Sequence, residues 1–239
     1  MWIKESQLKE ILDSYIKVAF GSYEQAGFKF KQFEVNYKRF FPSGRDAMVL
    51  DVGIGRGEML TCMKNWGYKN YLGVDISPDT INFCKFLGLN CVLVEDAPAW
   101  LGDKKDTFEL ITLLDVLEHV RKEETVGFLK ALRASLKDGG LLIIQTPNLQ
   151  APDGQLHRYN DFTHEVGYIE HSLQQVLMAA GFKDIKFGGF EEFTIGIWKE
   201  KILKVLRKLY WFYVKKTRLI NGNMNPDILN PVFFAVAKK

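Results

Sequence analysis

The 239-residue chain carries a net charge of +3, with 47% hydrophobic and 26% charged side chains, the composition of an ordinary folded globular protein. That length buries enough surface for one α/β domain with elaborations and needs no covalent staples. Cys62, Cys84 and Cys91 are odd in number and lack CxxC spacing, which argues against a disulfide framework or zinc site and for small buried hydrophobes in a reducing compartment.

The opening MWIKESQLKEILDSYIK mixes charges among its apolar residues and reads as an amphipathic helix, not a secretory signal, so a cytoplasmic protein is expected. Residues 1–45 are helical in pattern and rich in aromatics (Tyr15, Phe20, Tyr23, Phe28, Phe30, Phe33, Tyr37), ending at the turn signal Phe41-Pro42-Ser43-Gly44. The centre alternates strand candidates, Met48–Val52, Tyr71–Asp75, Cys91–Glu95, Phe108–Leu114 and Leu141–Thr146, with helical stretches near Glu58–Trp66, Pro78–Leu87 and Glu123–Leu136. That rhythm predicts a parallel sheet covered by helices on both faces. Ser77-Pro78 marks a helix start, and Asp138-Gly139-Gly140 is read as a helix end leading into the next strand. After Pro147 comes a polar, aromatic loop to His171, then a helix ending at Gly181, a strand Phe182–Phe187, a basic helix near 197–216 and a last strand Val232–Ala237.

The basic helix holds eight cations between Lys199 and Arg218 against Glu200 alone, a local charge of +7 that leaves −4 on the rest. A body of that sign is a poor general nucleic-acid binder. Trp198, Ile202, Val205, Leu209 and Phe212 recur at helical spacing, with Lys201, Lys204, Lys208 and Lys215 on another side. The leading reading is an ordinary helix that packs on the domain or on a second subunit with its lysines solvated; the pattern also fits an anionic membrane surface, which is the alternative. The apolar run Leu209–Val214 falls far short of the ~20 residues of a membrane span.

The densest motif is Val49-Leu50-Asp51-Val52-Gly53-Ile54-Gly55-Arg56-Gly57-Glu58, a buried strand running through three alternate glycines into a helix. Glycines allow close backbone approach, and the helix start offers free N–H groups. GxGxG alone also serves dinucleotide enzymes. Asp51 separates the cases: a carboxylate two residues before the first glycine gains nothing from a pyrophosphate but suits a zwitterionic amino acid beside a sulfonium. The second strand ends in Asp75, placed for ribose hydroxyls, and the third in Glu95-Asp96-Ala97, placed for an adenine edge.

Together DVGIGRGEML, GVDIS, VEDA and LLDVLEHV, in this order and spacing over roughly residues 45–190, resemble the class I S-adenosylmethionine-dependent methyltransferases. The resemblance implies a Rossmann-like, mostly parallel seven-stranded sheet at 46–239, with residues 1–45 as a helical lid over the site. It implies that Gly53, Gly55 and Gly57 shape the methionine pocket and that Asp51 orients the amino-acid portion. Asp75 would hold the ribose, Ile76 would pack on the adenine, and Asp96 with Ala97 would meet its edge. Leu114 and Asp115 would wall the sulfonium, with S-adenosylhomocysteine as product. Arg56, where a smaller residue is common, is expected to face solvent.

Glu118 and His119 follow the fourth strand, where they either touch a small-molecule acceptor or fix the following turn. The run His157-Arg158-Tyr159-Asn160-Asp161-Phe162-Thr163-His164, after Thr146-Pro147-Asn148 and before Ser172-Leu173 and Ala180-Gly181-Phe182, resembles the enzymes of surface-polysaccharide, O-antigen and small-metabolite methylation. A hydroxyl acceptor needs a base as the C–O bond forms, and histidine suits that task. His164 is the first candidate and His157 the second, with Asp161 orienting one of them and Arg158 or Tyr159 binding the acceptor. No metal is expected, the alternative being a site on the HxxxD and DxxH spacings of His157, Asp161 and His164. The resulting expectation is methylation of a sugar-type hydroxyl in cell-surface glycan assembly, by a cytoplasmic monomer or homodimer, with weak peripheral contact at the inner membrane face as the further option. Methylation of another small metabolite, such as an amino-phosphate precursor, is the alternative.

Overall fold

The computed structural model describes residues 26–191, 197–222 and 227–239. Seven strands form one sheet: β1 (Val49–Val52), β2 (Tyr71–Asp75), β3 (Cys91–Leu93), β4 (Phe108–Leu114), β5 (Leu136–Pro147), β6 (Lys183–Gly189) and β7 (Val232–Lys238), in the order β3-β2-β1-β4-β5-β7-β6. The helices are α1 (Ala26–Tyr37), α2 (Glu58–Asn65), α3 (Pro78–Phe86), α4 (Ala97–Gly102), α5 (Lys122–Ser135), α6 (Gly154–Tyr159), α7 (Glu170–Ala179) and α8 (Ile197–Ile220).

The central strands are near-continuous apolar runs because both faces are covered. One core cluster packs β1 and β4 against α1, α2 and α3 through Tyr37, Leu60, Met63, Ile81 and Leu110. The other packs the opposite face against α4, α5 and α7 through Leu101, Leu129, Leu132 and Leu173. Each fully buried leucine contributes roughly 1.5–3 kcal/mol, so the scaffold is rigid beneath its loops. All three cysteines are buried, as expected of small hydrophobes.

The register sets the site. Val52 pairs with Val74 of β2 and Leu113 of β4, so Gly53, Asp75 and Leu114 leave the sheet side by side at its carboxyl edge.

The sheet is mixed, which corrects the expectation of a mostly parallel one: β1 to β5 run parallel, but β7 is antiparallel to both β5 and β6. The last strand slots between β5 and β6 from the opposite end, a direction that alternation of strands and helices does not encode. The glycine pair was also misread. α5 stops at Ser135, whose hydroxyl turns back to Leu132 C=O at 2.9 Å, and Asp138-Gly139-Gly140 already belongs to β5. Gly139 takes φ 78° there, and a Cβ on Gly140 would sit 2.9 Å from Lys137 O. This is bulge geometry, which glycine serves inside a strand.

Of the amino-terminal segment, Tyr15, Phe20 and Tyr23 lie outside the described residues. Phe33 and Tyr37 are core residues, 3% and 0% exposed, and Phe30 packs beside them. α1 therefore packs on the same core as the central strands through these aromatics.

Candidate active site

Asp51, the penultimate residue of β1, is buried, with the Thr112 hydroxyl donating to Oδ1 at 2.6 Å. Burial pushes its pKa up to about 7, with Thr112 and Lys29 opposing the shift and Glu58 and Asp75 reinforcing it. Lys29 of α1 pairs with Glu58 at 3.4 Å. The pocket is thus a site short of positive charge.

The bend that follows runs through Gly53, Gly55 and Gly57 at φ 77°, 50° and 75°. At Gly53 a Cβ would meet Val116 Cγ2 at 2.3 Å, so this glycine serves the approach of the β4 loop as well as the turn. Asp75 accepts from Ser77 N at 2.9 Å and Gly55 N at 3.4 Å. Burial raises its pKa, and these backbone donors hold it back. Ile76 next to it is 53% exposed, which leaves an apolar face open to solvent. Asp96 caps α4, accepting from Ala99 N at 2.9 Å, with Ala97 the first helical residue. Arg56 departs from expectation: it is half-buried with its guanidinium over the Phe83 ring, 5.6 Å from the centroid.

Beyond Leu114, Asp115 adopts φ 54°, a left-handed conformation that costs a non-glycine residue roughly 1–2 kcal/mol. Gln145 holds it there, donating from Nε2 to Asp115 Oδ2 at 2.6 Å. The Gln145 carbonyl accepts from the buried Tyr37 hydroxyl. Sequence reasoning missed this Tyr37–Gln145–Asp115 chain, which ties α1 to the end of β4. Asp115 is exposed to solvent at one side, yet the surrounding protein raises its pKa, with Lys29 and Gln145 opposing.

The acceptor candidates converge. A 3₁₀ turn over Leu117–His119 buries Glu118, and the Glu118 C=O accepts from Glu165 N at 2.8 Å and Val166 N at 3.1 Å. These bonds bring the His157–His164 stretch against the turn. The His119 and His164 rings meet at 4.8 Å between centroids. His164 Nδ1 bonds His157 C=O at 2.8 Å; a carbonyl only accepts, so Nδ1 carries the hydrogen and Nε2 the lone pair. His119 Nδ1 lies 2.8 Å from Thr163 Oγ1, which donates to Asp161 Oδ1 at 2.7 Å. Asp161 thus reaches His119 through Thr163, where the sequence reading had it orienting His157 or His164.

Glu118 is 2% exposed with neither carboxylate oxygen hydrogen-bonded, and burial first, then Asp115, drives its pKa well up. Thr146 lies close enough to temper that shift without reaching hydrogen-bond geometry. Burial, then His164, lowers the pKa of His119. His157 and Arg158 of α6 line the same crevice as Glu118 and His164. Tyr159 is 80% exposed beneath the Arg158 guanidinium. Ligating atoms of Glu118, His119 and His164 lie within 4.8 Å of one another, a grouping of three metal-competent side chains that the sequence reading did not foresee.

Comparison with known proteins agrees with this geometry. A family model described as "Methyltransferase domain" matches residues 26–186. No curated protein matches in sequence. Among solved structures, a SAM-dependent methyltransferase from Archaeoglobus fulgidus superimposes with TM-score 0.65 at 23% identity, over 91% of this chain and 100% of that one. The Burkholderia thailandensis 1,6-didemethyltoxoflavin-N1-methyltransferase, solved with S-adenosylhomocysteine, gives 0.61 at 15% identity over 100% and 92%. A Haemonchus contortus phosphoethanolamine N-methyltransferase, solved with phosphomonomethylethanolamine and S-adenosylhomocysteine, gives 0.60 at 17% identity over 97% and 57%.

Proposed function

Because the chain belongs to the methyltransferase-domain family, we propose that this enzyme methylates a hydroxyl of a sugar or sugar-derived metabolite, in cell-surface glycan assembly. The cofactor is S-adenosylmethionine, which supplies an electrophilic methyl group on a sulfonium. The residues at the sheet edge fit it: a buried carboxylate whose pKa burial raises, a second carboxylate fixed by backbone donors, and an exposed isoleucine face. Asp51 takes the α-ammonium, Asp75 the ribose hydroxyls, Ile76 the adenine face, and Asp96 with Ala97 its edge. Gly53, Gly55 and Gly57 leave room for the methionine portion, and Leu114 and Asp115 close the wall beside the sulfur.

The observation that carries the hydroxyl reading is the tautomer of His164. Its hydrogen-bonded Nδ1 leaves the Nε2 lone pair to take the acceptor's proton, in a crevice shared with His157, Arg158 and Glu118. His119 stands against this ring. A base so placed contributes typically 10²–10⁴-fold, and positioning the acceptor up to ~7–11 kcal/mol more. The Thr146-Pro147-Asn148 to Ala180-Gly181-Phe182 resemblance supports a glycan-type acceptor. The Haemonchus neighbour supports the rival reading, an amino-phosphate metabolite. Labelled S-adenosylmethionine offered with nucleotide sugars and with phosphorylated amines decides between them. Label is expected in the sugars; transfer confined to the amines overturns the hydroxyl reading.

Location at an anionic membrane face is part of this proposal. Along α8, Trp198, Ile202, Val205, Leu209 and Phe212 are each more than half exposed, which disfavours packing of this stripe on the domain. A second copy would bring two segments of +7 together, whereas anionic lipid neutralises them at about 1 kcal/mol per cation near the surface. Among the described residues no helix is long and apolar enough to cross a membrane. The chain is expected to co-sediment with vesicles of phosphatidylcholine and phosphatidylglycerol and to be released by salt. Equal sedimentation with pure phosphatidylcholine, or none with either, removes the membrane role.

A further inference from the structure

The turn after β4 and the loop after α6 assemble more ligating groups than the single base that methyl transfer calls for. The two Glu118 oxygens are buried and unpartnered. A buried acceptor left unmade costs roughly 1–3 kcal/mol, more when charged, so in a native fold such an orphan calls for a missing partner. Thr146 Oγ1, in the wall of the same crevice, is likewise without one.

The imidazoles are prepared in a matching sense. His164 is fixed with hydrogen on Nδ1 and its lone pair on Nε2. The Thr163 hydroxyl spends its hydrogen on Asp161, so His119 must donate from Nδ1 to Thr163 Oγ1, which likewise leaves the ring lone pair at Nε2. A carboxylate acting through a hydroxyl to orient a histidine is the outer support that metal-bound imidazoles receive.

We propose that Glu118, His119 and His164 bind a divalent transition-metal cation, of the zinc, cobalt(II) or iron(II) kind, through two ring nitrogens and one carboxylate. Nitrogen and carboxylate ligands select these ions over magnesium or calcium, which favour all-oxygen sites. Ligands on one zinc at ~2.1 Å lie about 3.4 Å apart, so the observed spread of 4.8 Å closes with small side-chain rotations. Three protein ligands leave a coordination position open for water or an acceptor oxygen. With the cation bound, His164 ligates, and a proton shed by a coordinated hydroxyl passes to solvent.

This inference stands on the side chains and does not depend on the acceptor's identity. The test uses the untagged full chain, stripped with a chelator and titrated with cobalt(II) while its visible absorption is followed. One equivalent should bind. Glu118→Gln and His164→Ala should each weaken binding by about 100-fold or more, and Thr163→Val, which removes only the outer support, by ~10–100-fold. S-Adenosylmethionine binding by the same proteins reports separately on the fold and the cofactor pocket. No cobalt(II) uptake by the wild type, or uptake indifferent to both Glu118→Gln and Thr163→Val, overturns the proposal and leaves the methyl-transfer reading intact.

Discussion

S-Adenosylmethionine affinity is expected to rise between pH 6 and 7.5 (roughly), with release of a proton, and Asp51→Asn should flatten that rise while weakening binding about 10–100-fold. The cause is the buried Asp51 carboxyl, whose pKa of about 7 leaves it largely protonated in mildly acidic solution. A cationic α-ammonium beside it favours the ionised form, so binding expels the proton, and a site already ionised binds more tightly. Above pH ~8 the ligand's own amino group starts to lose its charge, and the gain turns over.

The same group makes an opposite prediction for stability without cofactor. Below pH ~4 Asp51 is protonated folded or unfolded. Between about 4 and 7 the folded chain keeps a proton the unfolded chain has lost, so stability falls as pH rises, by about 4 kcal/mol in all. Asn at this position keeps an oxygen to accept from Thr112 and carries no charge. Asp51→Asn should therefore be more stable than the wild type at pH 8 and nearly equal to it at pH 4, while binding the cofactor worse. Calorimetric titration and denaturant melts across this range check both. A wild-type affinity that does not move with pH refutes the account of Asp51.

What the sequence made legible is what short-range chemistry encodes. β2 and β4 begin and end where alternation and flanking residues placed them, and the Ser77-Pro78 helix start holds, with Thr80 N bonded to Ser77 Oγ at 3.3 Å. Asp96 and Pro98 carry the same signal for α4, a cap that competes with the adenine-edge role the family resemblance implies for Asp96. α6 was hidden inside a stretch read as loop for its reactive residues.

The acceptor cluster is different in kind. His119 and His164 are 45 positions apart and meet because Glu165 and Val166 donate to a single carbonyl, that of Glu118, a contact with no periodicity or motif behind it. The Tyr37–Gln145–Asp115 chain spans three elements in the same way. Candidate residues could be named from the sequence; the contact of Asp161 with Thr163 beside His119, and the grouping of Glu118 with two imidazoles, could not.

His164→Ala is expected to lower kcat for a hydroxyl acceptor by 10²–10⁴-fold, with S-adenosylmethionine affinity unchanged. Alanine, however, removes two things at once: the Nε2 lone pair and the Nδ1–H bond that pins the loop to His157 C=O. Asparagine separates them, because its side-chain amide can place an N–H near the position of Nδ1 and offers nothing at Nε2. If Nε2 takes the proton, or holds a cation that promotes its loss, His164→Asn should be as impaired as His164→Ala. If His164 only anchors the loop, His164→Asn should recover most of the wild-type rate and the chemistry must be sought at His157 or His119. An amine acceptor, which can lose its proton after the methyl has moved, should suffer much less from either substitution. Single-turnover rates for both variants with both acceptor types therefore report on the lone pair and on the class of acceptor together.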